Sequence, residues 1–508
     1  MTLADNRIRK LVILGDGMAA WLSANVLAHV LAAQQVHICV AESGGEIDVD
    51  TFGPCVSTLP SIDLMHKLLG IDESTFMRRT NATFKLGTKL TGWVKQAESY
   101  FEPFGETGVN FEGIPFHHYW LALGGKEQAA LSDYALSAVA ANLGKFSHPL
   151  ADTTSVLSTM AYGYHFDAAL YTQMLRERAT KHGIERLKGE LTTVTHSDNG
   201  FVESLVLECD LRVPGDFFID CSGPQGLLIA QALETGFEDW SPLLPCDRAI
   251  SVSSRSADPL MPYTSATARA AGWQWRIPLQ HSTDNGYVYS SRHVSDQDAA
   301  ATLLANLDGS VRGEPRHQSF RSGRSAKFWN KNVVAIGGAA SGLEPLASTG
   351  LHLVQRSLLR LIELFPDKSC AAGEATEYNR LMSSECERMR DFLLLHYALN
   401  GRDSAFWKDC RAMGLPPLLQ RKIEHFRNRG RVVDYDEETF KPPSWAAVFL
   451  GQDVRPRCRD PLLDTVPPQQ IATMLLRMKT AIRQAAEAMP TQRTYLAKIG
   501  AAAPVTID

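Results

Sequence analysis

Arg9–Trp21, RKLVILGDGMAAW, decides the fold. Its first half is the continuous aliphatic run of a strand buried on both faces. The run breaks at Gly15-Asp16-Gly17, and helical spacing then continues to about Ala33. A second strand, Val36–Val40, ends at Glu42. This βαβ start carries Gly15-x-Gly17-x-x-Ala20, in which the first glycine permits a tight turn and the second lets a pyrophosphate come close. Alanine serves in the helix-packing place of the third. Glu42 stands where a carboxylate accepts ribose hydroxyls. The expected ligand is a dinucleotide, with Met18 and Ala19 at the helix start joining Gly15, Gly17, Ala20 and Glu42 around it.

A second strand–loop–helix joint lies far downstream, at Asn332–Gly350, NVVAIGGAASGLEPLASTG. Val333, Val334 and Ile336 give way to Gly337-Gly338, and Pro345 stops any early helix. Ser348-Thr349-Gly350 then opens an apolar helical stretch, Leu351–Phe365. Free amides at such a helix start favour an anionic group, a phosphate or a halide.

At 508 residues the chain can build more than one core, and two packed lobes are expected. Hydrophobic residues make up 44% and charged ones 21%, with a formal charge of −5, so nothing pulls it toward nucleic acid or an anionic membrane. No Cys-x-x-Cys or His-Glu-x-x-His pattern occurs, and no metal site is expected. Nine scattered cysteines fit free thiols in a reducing compartment. A strand begins by about the tenth residue and no apolar run is long enough for a bilayer, so the reading is cytoplasmic.

Between these joints the coarse pattern alternates. Glu46–Ser61 reads as irregular loop, Ile62–Leu69 as helix, and Asp72 as the cap of a helix starting near Glu73. Thr83–Trp93 alternates like one strand, with Lys85 and Lys89 on what is usually a solvated face. FEPFGETG, after Tyr100, reads as a turn-rich connector leading to Phe116-His117-His118-Tyr119-Trp120. Tyr162–Ala179 reads as strand then helix, Arg186–Val194 and Phe201–Leu211 as a hairpin about Asp198-Asn199-Gly200, and Asp216–Gly223 as a buried strand. Ala249–Val294 is β-rich: Trp273 and Trp275 share one face of a strand, and Asn285-Gly286 reads as a hairpin turn. From Ala372 onward the pattern is helical.

Several of these pieces together resemble the flavin-dependent tryptophan halogenases, across nearly the whole chain. The matching stretches are Gly15–Trp21, Thr83-Phe84-Lys85, Phe101–Gly105, His118-Tyr119-Trp120, Phe218–Gly223, Gly272–Pro278 with the following HSTDNGYVYSSR (His281–Arg292), Ala335–Gly350 and Arg390-Asp391-Phe392…His396-Tyr397. Trp-x-Trp-x-Ile-Pro at 273–278 is the most specific. The resemblance implies an α/β fold with a flavin monooxygenase-like FAD-binding lobe at 1–366. That lobe combines a Rossmann-type βαβ with a substrate-facing sheet at about 240–300, and a mainly helical C-terminal lobe follows at 367–508.

It further implies an FADH2-dependent halogenase, with reduced flavin supplied by a separate reductase. Halide is oxidised with O2, and hypohalous acid travels through a tunnel to a lysine beside an electron-rich aromatic substrate. By the same resemblance Lys85 is that lysine, and Thr349 and Gly350 hold chloride or bromide. Leu191, Gly337, Gly338 and Leu351 join the flavin site. His118, Trp120, Ala347 and Trp445 are substrate-pocket candidates for an indole-like ring. Relatives are often homodimers.

Three departures stand out. Ala347 replaces a glutamate usual before Ser-Thr-Gly. Gly53-Pro54-Cys55-Val56-Ser57-Thr58 replaces a Gly-x-Gly-Glu-Ala-Thr strap, and Gly342 replaces a phenylalanine. They keep a second reading open: a flavin-dependent monooxygenase or oxidase, or a catalytically impaired flavin-binding relative.

Overall fold

The aliphatic run after Arg9 forms β1 (Lys10–Leu14) at the centre of a six-stranded sheet. In the computed structural model, residues 5–42, 52–256 and 258–503 are described. The strand order is Trp329–Asn330, Val333–Ala335, Phe217–Asp220, β1, β2 (His37–Ala41), Glu185–Leu187, parallel except for the first edge strand. Every residue of β1 after Lys10 is buried, as a strand covered by helices on both faces requires. Helix Met18–Val30 follows after three residues. Gly15 makes that short turn possible: its φ is +137°, and a Cβ there would lie 2.3 Å from the Cys221 carbonyl oxygen. The two strand–loop–helix joints thus end on neighbouring parts of one sheet.

A small sheet lies beside it, ordered β3 (Cys55–Ser57), β7 (Gly163–Asp167), β4 (Thr83–Lys85). The third layer is a seven-stranded sheet. It runs Val311–Ser319, Arg248–Arg255, Ser282–Tyr289, Gly272–Pro278, Thr264–Arg269, β5 (Gly87–Thr91), β6 (Ser99–Pro103), so it recruits residues well outside 240–300. Helices Ala372–Leu399, Ala405–Ala412, Pro417–Arg429, Pro442–Gly451 and Pro468–Ala488 build the C-terminal part. Among the described residues no helix is long and apolar enough to cross a membrane.

Four local expectations change. The alternation from Thr83 is two strands in two sheets, broken where Gly87 (φ +151°) passes within 2.3 Å, at its would-be Cβ, of the Glu102 carbonyl. The first three residues of the supposed connector after Tyr100, Phe101–Pro103, complete β6, paired with β5. Asn285-Gly286 is mid-strand, opposite Arg276 and Trp275; the glycine is there because a Cβ would sit 2.0 Å from the Trp275 ring. The loop read at Glu46–Ser61 contains β3, while positions 46–51 lie outside the described residues. Asp72 does cap its helix, accepting the Thr75 N–H at 2.8 Å.

Candidate active site

The Asn332–Gly350 joint places three consecutive residues where the layers meet. Pro345–Ala347 makes one 3₁₀ turn, Ser348 turns through the left-handed region at φ +57°, and Thr349 precedes helix Gly350–Glu363. A non-glycine residue held there marks a backbone over-determined by its surroundings. Ser348 is fixed by what its side chain touches. Lys85 Nζ donates to Ser348 Oγ at 2.8 Å, and Ser348 Oγ donates to Ser57 Oγ at 3.1 Å. Ser57 Oγ in turn meets Thr264 Oγ1 at 2.9 Å, which meets His165 Nε2 at 2.9 Å. The chain ends where Thr83 Oγ1, 3.1 Å from His165 Nδ1, donates to the Pro278 carbonyl. One hydrogen-bonded line therefore ties β4, β3, β7 and the seven-stranded sheet to the helix start.

Lys85 is 1% exposed, on the last residue of β4, and not on a solvated face. Its ammonium lies 4.9 Å from the Phe104 ring centroid. Burial lowers its pKa from the usual lysine range, and the charge of buried Glu102 opposes that shift. The same burial raises Glu102. Burial, with the Lys85 charge adding to it, also keeps His165 well below the usual imidazole range, so it serves as a neutral link. A lysine so desolvated exchanges its proton far more readily than a surface one.

Two adjoining cavities open on the other side of Ser348. The larger, about 310 Å³, brings together Met18, Ala19, Gly337, Gly338, Gly350 and Leu351. The smaller, about 100 Å³, is walled by Ser57, Thr264, Trp275, Asp284 and Ser348, and shares Met18, Gly350 and Leu351. Gly15, Gly17 and Ala20 form the joint beneath and line neither. Thr349 Oγ1, buried at the helix start, has no hydrogen-bond partner among the described residues. Asp284 Oδ1 has none either, although Trp275 Nε1 donates to its other oxygen at 3.0 Å. A close-approach glycine, apolar walls and an orphaned hydroxyl at a helix start fit a large planar cofactor with an anionic part.

The remaining expected residues lie apart. Glu42, at the end of β2, accepts two hydrogen bonds from Arg186, at 2.6 and 3.0 Å. Leu191 begins strand Leu191–His196 of an outer three-stranded sheet and lines neither cavity. The four substrate-pocket candidates are not gathered in one place. His118 lines an open polar cavity of about 510 Å³ with Lys126, Arg429 and Arg455. Trp120 lines another with Tyr100 and Phe101. Trp445 is packed in the C-terminal core, its N–H donating to the Phe440 carbonyl and Lys422 Nζ 3.8 Å from its ring centroid. Ala347 is buried in the 3₁₀ turn. Nor does Glu344 stand in for the missing acid. Its Oε2 accepts from Tyr397 Oη at 2.7 Å and Trp273 Nε1 at 3.3 Å, and burial pushes its pKa up to about 7.

The tryptophan halogenase family model matches residues 10–468. The chain belongs to the tryptophan halogenase family. A tryptophan 6-halogenase of Streptomyces albogriseolus is 31% identical over 506 residues, covering 92% of this chain and 93% of the relative. Among solved structures, a flavin-dependent halogenase from Brevundimonas sp. BAL3 is 39% identical with a TM-score of 0.93, over 98% of this chain and all of that one. One from Xanthomonas campestris is 37% identical, also at 0.93, over 99% and 100%. The protein is thus a flavin-dependent halogenase-type oxidoreductase. The family uses FADH2, halide and O2, and acts on small aromatic molecules beside a separate flavin reductase.

Residue spacing alone missed several groups around the site. Ser57, Thr264 and His165 sit on three separate strands, and only their pairing joins them to Lys85. Arg186 joins Glu42 by the parallel pairing of β2 with Glu185–Leu187.

Proposed function

We propose that this chain halogenates an electron-rich, indole-like aromatic substrate through Lys85, with chloride or bromide held at Thr349 and Gly350. The observation that carries the reading is the buried Lys85 ammonium, hydrogen-bonded to Ser348 one residue before that helix start. Gly15, Gly17, Met18, Ala19, Ala20, Gly337, Gly338 and Leu351 would hold FAD, with Glu42, oriented by Arg186, accepting from its ribose. When bound and reduced, the flavin supplies the two electrons that let O2 oxidise halide. Thr349 Oγ1 and the first amides of helix Gly350–Glu363 give an anion donors without a full positive charge. Lys85, held toward Ser348, can donate a hydrogen bond to hypohalous acid or, once neutral, attack its halogen, breaking the O–halogen bond to give a haloamine and water.

A second reading is favoured by one feature. Ala347 offers no carboxylate, and Glu344 is turned into the Trp273–Tyr397 pair, so a flavin-dependent monooxygenase or oxidase, or an impaired relative, retains the scaffold with slow or absent halogen transfer. Reduced FAD, O2 and bromide supplied with a panel of indoles and phenols decide between them by mass spectrometry. Brominated product that depends on Lys85 supports the first reading. Oxygenated product formed without halide supports the second.

A further inference from the structure

Asp284 is a carboxyl group that neither the halide site nor the lysine uses. It lies in strand Ser282–Tyr289, opposite Ile277 and Ser253, and is 1% exposed. Its side chain forms part of the wall of the smaller cavity, between Trp275 and the strap residue Gly53. The approach to Gly53 is close: a Cβ there would meet Asp284 Oδ2 at 2.8 Å and Oδ1 at 3.3 Å. Trp275 Nε1 donates to Oδ2 at 3.0 Å, which fixes the plane of the carboxyl group. Oδ1 has no partner among the described residues. No lysine, arginine or histidine ion-pairs with Asp284 among the described residues; Asp167 at the end of β7 adds like charge to it, and Asp284 in turn helps raise the thiol of Cys55 on β3. Lys85 and His165 reach the cavity wall only through Ser348 and Thr264. A buried polar oxygen of a cavity-wall residue with no partner costs stability unless a ligand satisfies it.

We propose that Asp284 is a cofactor-binding residue, presenting a carboxylic-acid O–H from Oδ1 to an acceptor atom of the flavin ring while Trp275 holds Oδ2. The assignment rests on the flavin reading of the two cavities. Burial, with Asp167 adding like charge against the opposing interactions of Trp275 and the Asn285 backbone, pushes the Asp284 pKa up to about 7, so the acid form is populated near neutrality. In this form the residue donates. Ionised, it turns a negative oxygen toward a lone pair of the ring and weakens binding. The strap's Gly53 is then the residue that leaves room for the carboxyl group.

The test is FAD affinity of the full chain, read by flavin fluorescence or calorimetry from pH 5.5 to 8.5 on wild type, Asp284→Asn and Asp284→Ala. Wild-type affinity is expected to be level at low pH and to fall as pH rises through about 7, approaching about tenfold per pH unit. Asp284→Asn keeps a donor that does not titrate, so its profile should be flat, and at pH 8 it should bind more tightly than wild type. Asp284→Ala should bind about tenfold more weakly than wild type at pH 6. Parallel profiles for wild type and Asp284→Asn, or unchanged affinity of Asp284→Ala at pH 6, overturn the assignment while leaving the flavin site intact. Wild type that binds no FAD at any pH overturns the flavin reading itself, and the assignment with it.

Discussion

At the scale of single residues, the proposed site turns on one buried lysine and one missing carboxylate. Lys85 is desolvated and its strongest direct contact is a neutral hydroxyl, an arrangement that costs folding energy and that a purely structural residue would not need. Replacing it by methionine, of similar length and no charge, should leave the melting temperature unchanged or raise it. The same change should remove bromination, by a factor on the order of 10²–10³ or more. A Lys85→Met enzyme that still brominates at the parent rate would remove the lysine from the mechanism. Ala347 makes the opposite case. Ala347→Glu places a carboxylate two residues before Thr349-Gly350 in sequence, and turnover with bromide and an indole substrate should rise, by up to about 10²-fold. The gain must vanish in the Ala347→Glu, Lys85→Met double variant. A gain that survives there would mean the new acid works on its own. Gly342, the third departure, is explained locally, since a Cβ there would come within 2.6 Å of the Arg321 carbonyl oxygen.

At the scale of elements, the sequence was most readable where one strand or helix carries its own signal. The run before Gly15, the helix after it and the cap at Asp72 are local patterns, and each appears where its chemistry predicts. Features that depend on a neighbouring strand were misread for the same reason. Asn285-Gly286 has the composition of a turn, yet Gly286 exists to admit the Trp275 indole from the adjacent strand, which no single-strand pattern can reveal. Lys85 and Lys89 look equivalent by alternation, but the Gly87 break sends one to a buried sheet and leaves the other half-buried. Thr264 and His165 carry no motif at all, and the stretches holding Ser57 and Asp284 do not show that cross-strand pairing brings these residues to the cavity and the Lys85 network. The Trp strand offers a direct check. Gly286→Ala forces a methyl into the Trp275 ring and should destabilise the fold by about 1–3 kcal/mol in denaturant unfolding. Adding Trp275→Phe removes the ring atoms in conflict and should return part of that loss. If the double variant is as unstable as the sum of both single changes, the packing explanation is wrong.

At the scale of the whole molecule, the site helix is anchored to the C-terminal part by a buried charge cluster. Arg360, on helix Gly350–Glu363, contacts Glu385 at 2.6 Å and also reaches Glu437; both Arg360 and Glu385 are 3% exposed at the side chain. Glu385, on helix Ala372–Leu399, further accepts from Arg356 at 3.1 Å and Thr439 Oγ1 at 3.0 Å, and lies 3.3 Å from His352 Nε2. The other nitrogen of His352 meets Ser61 Oγ at 2.8 Å, so one carboxylate links the site helix, the long C-terminal helix and the segments around Ser61 and Thr439. Burial alone would raise the Glu385 pKa, but the His352 hydrogen bond and the Arg360 and Arg356 charges outweigh it and hold the group down at about 2. A carboxyl group lowered in the folded state stabilises the fold above its unfolded pKa, and that stability is lost as pH falls from about 4.5 toward 2. A shift of this size corresponds to about 3 kcal/mol at neutral pH. Glu385→Gln leaves two arginines facing a neutral amide, and should lower unfolding stability at pH 7 by about 3–5 kcal/mol. From about pH 4.5 downward the gap between variant and parent should narrow, because the unfolded parent takes up the proton that the folded carboxylate resists. Urea midpoints measured from pH 7 down to pH 2.5 test this directly, and a gap that stays constant over the whole range would show that Glu385 acts by shape and not by charge.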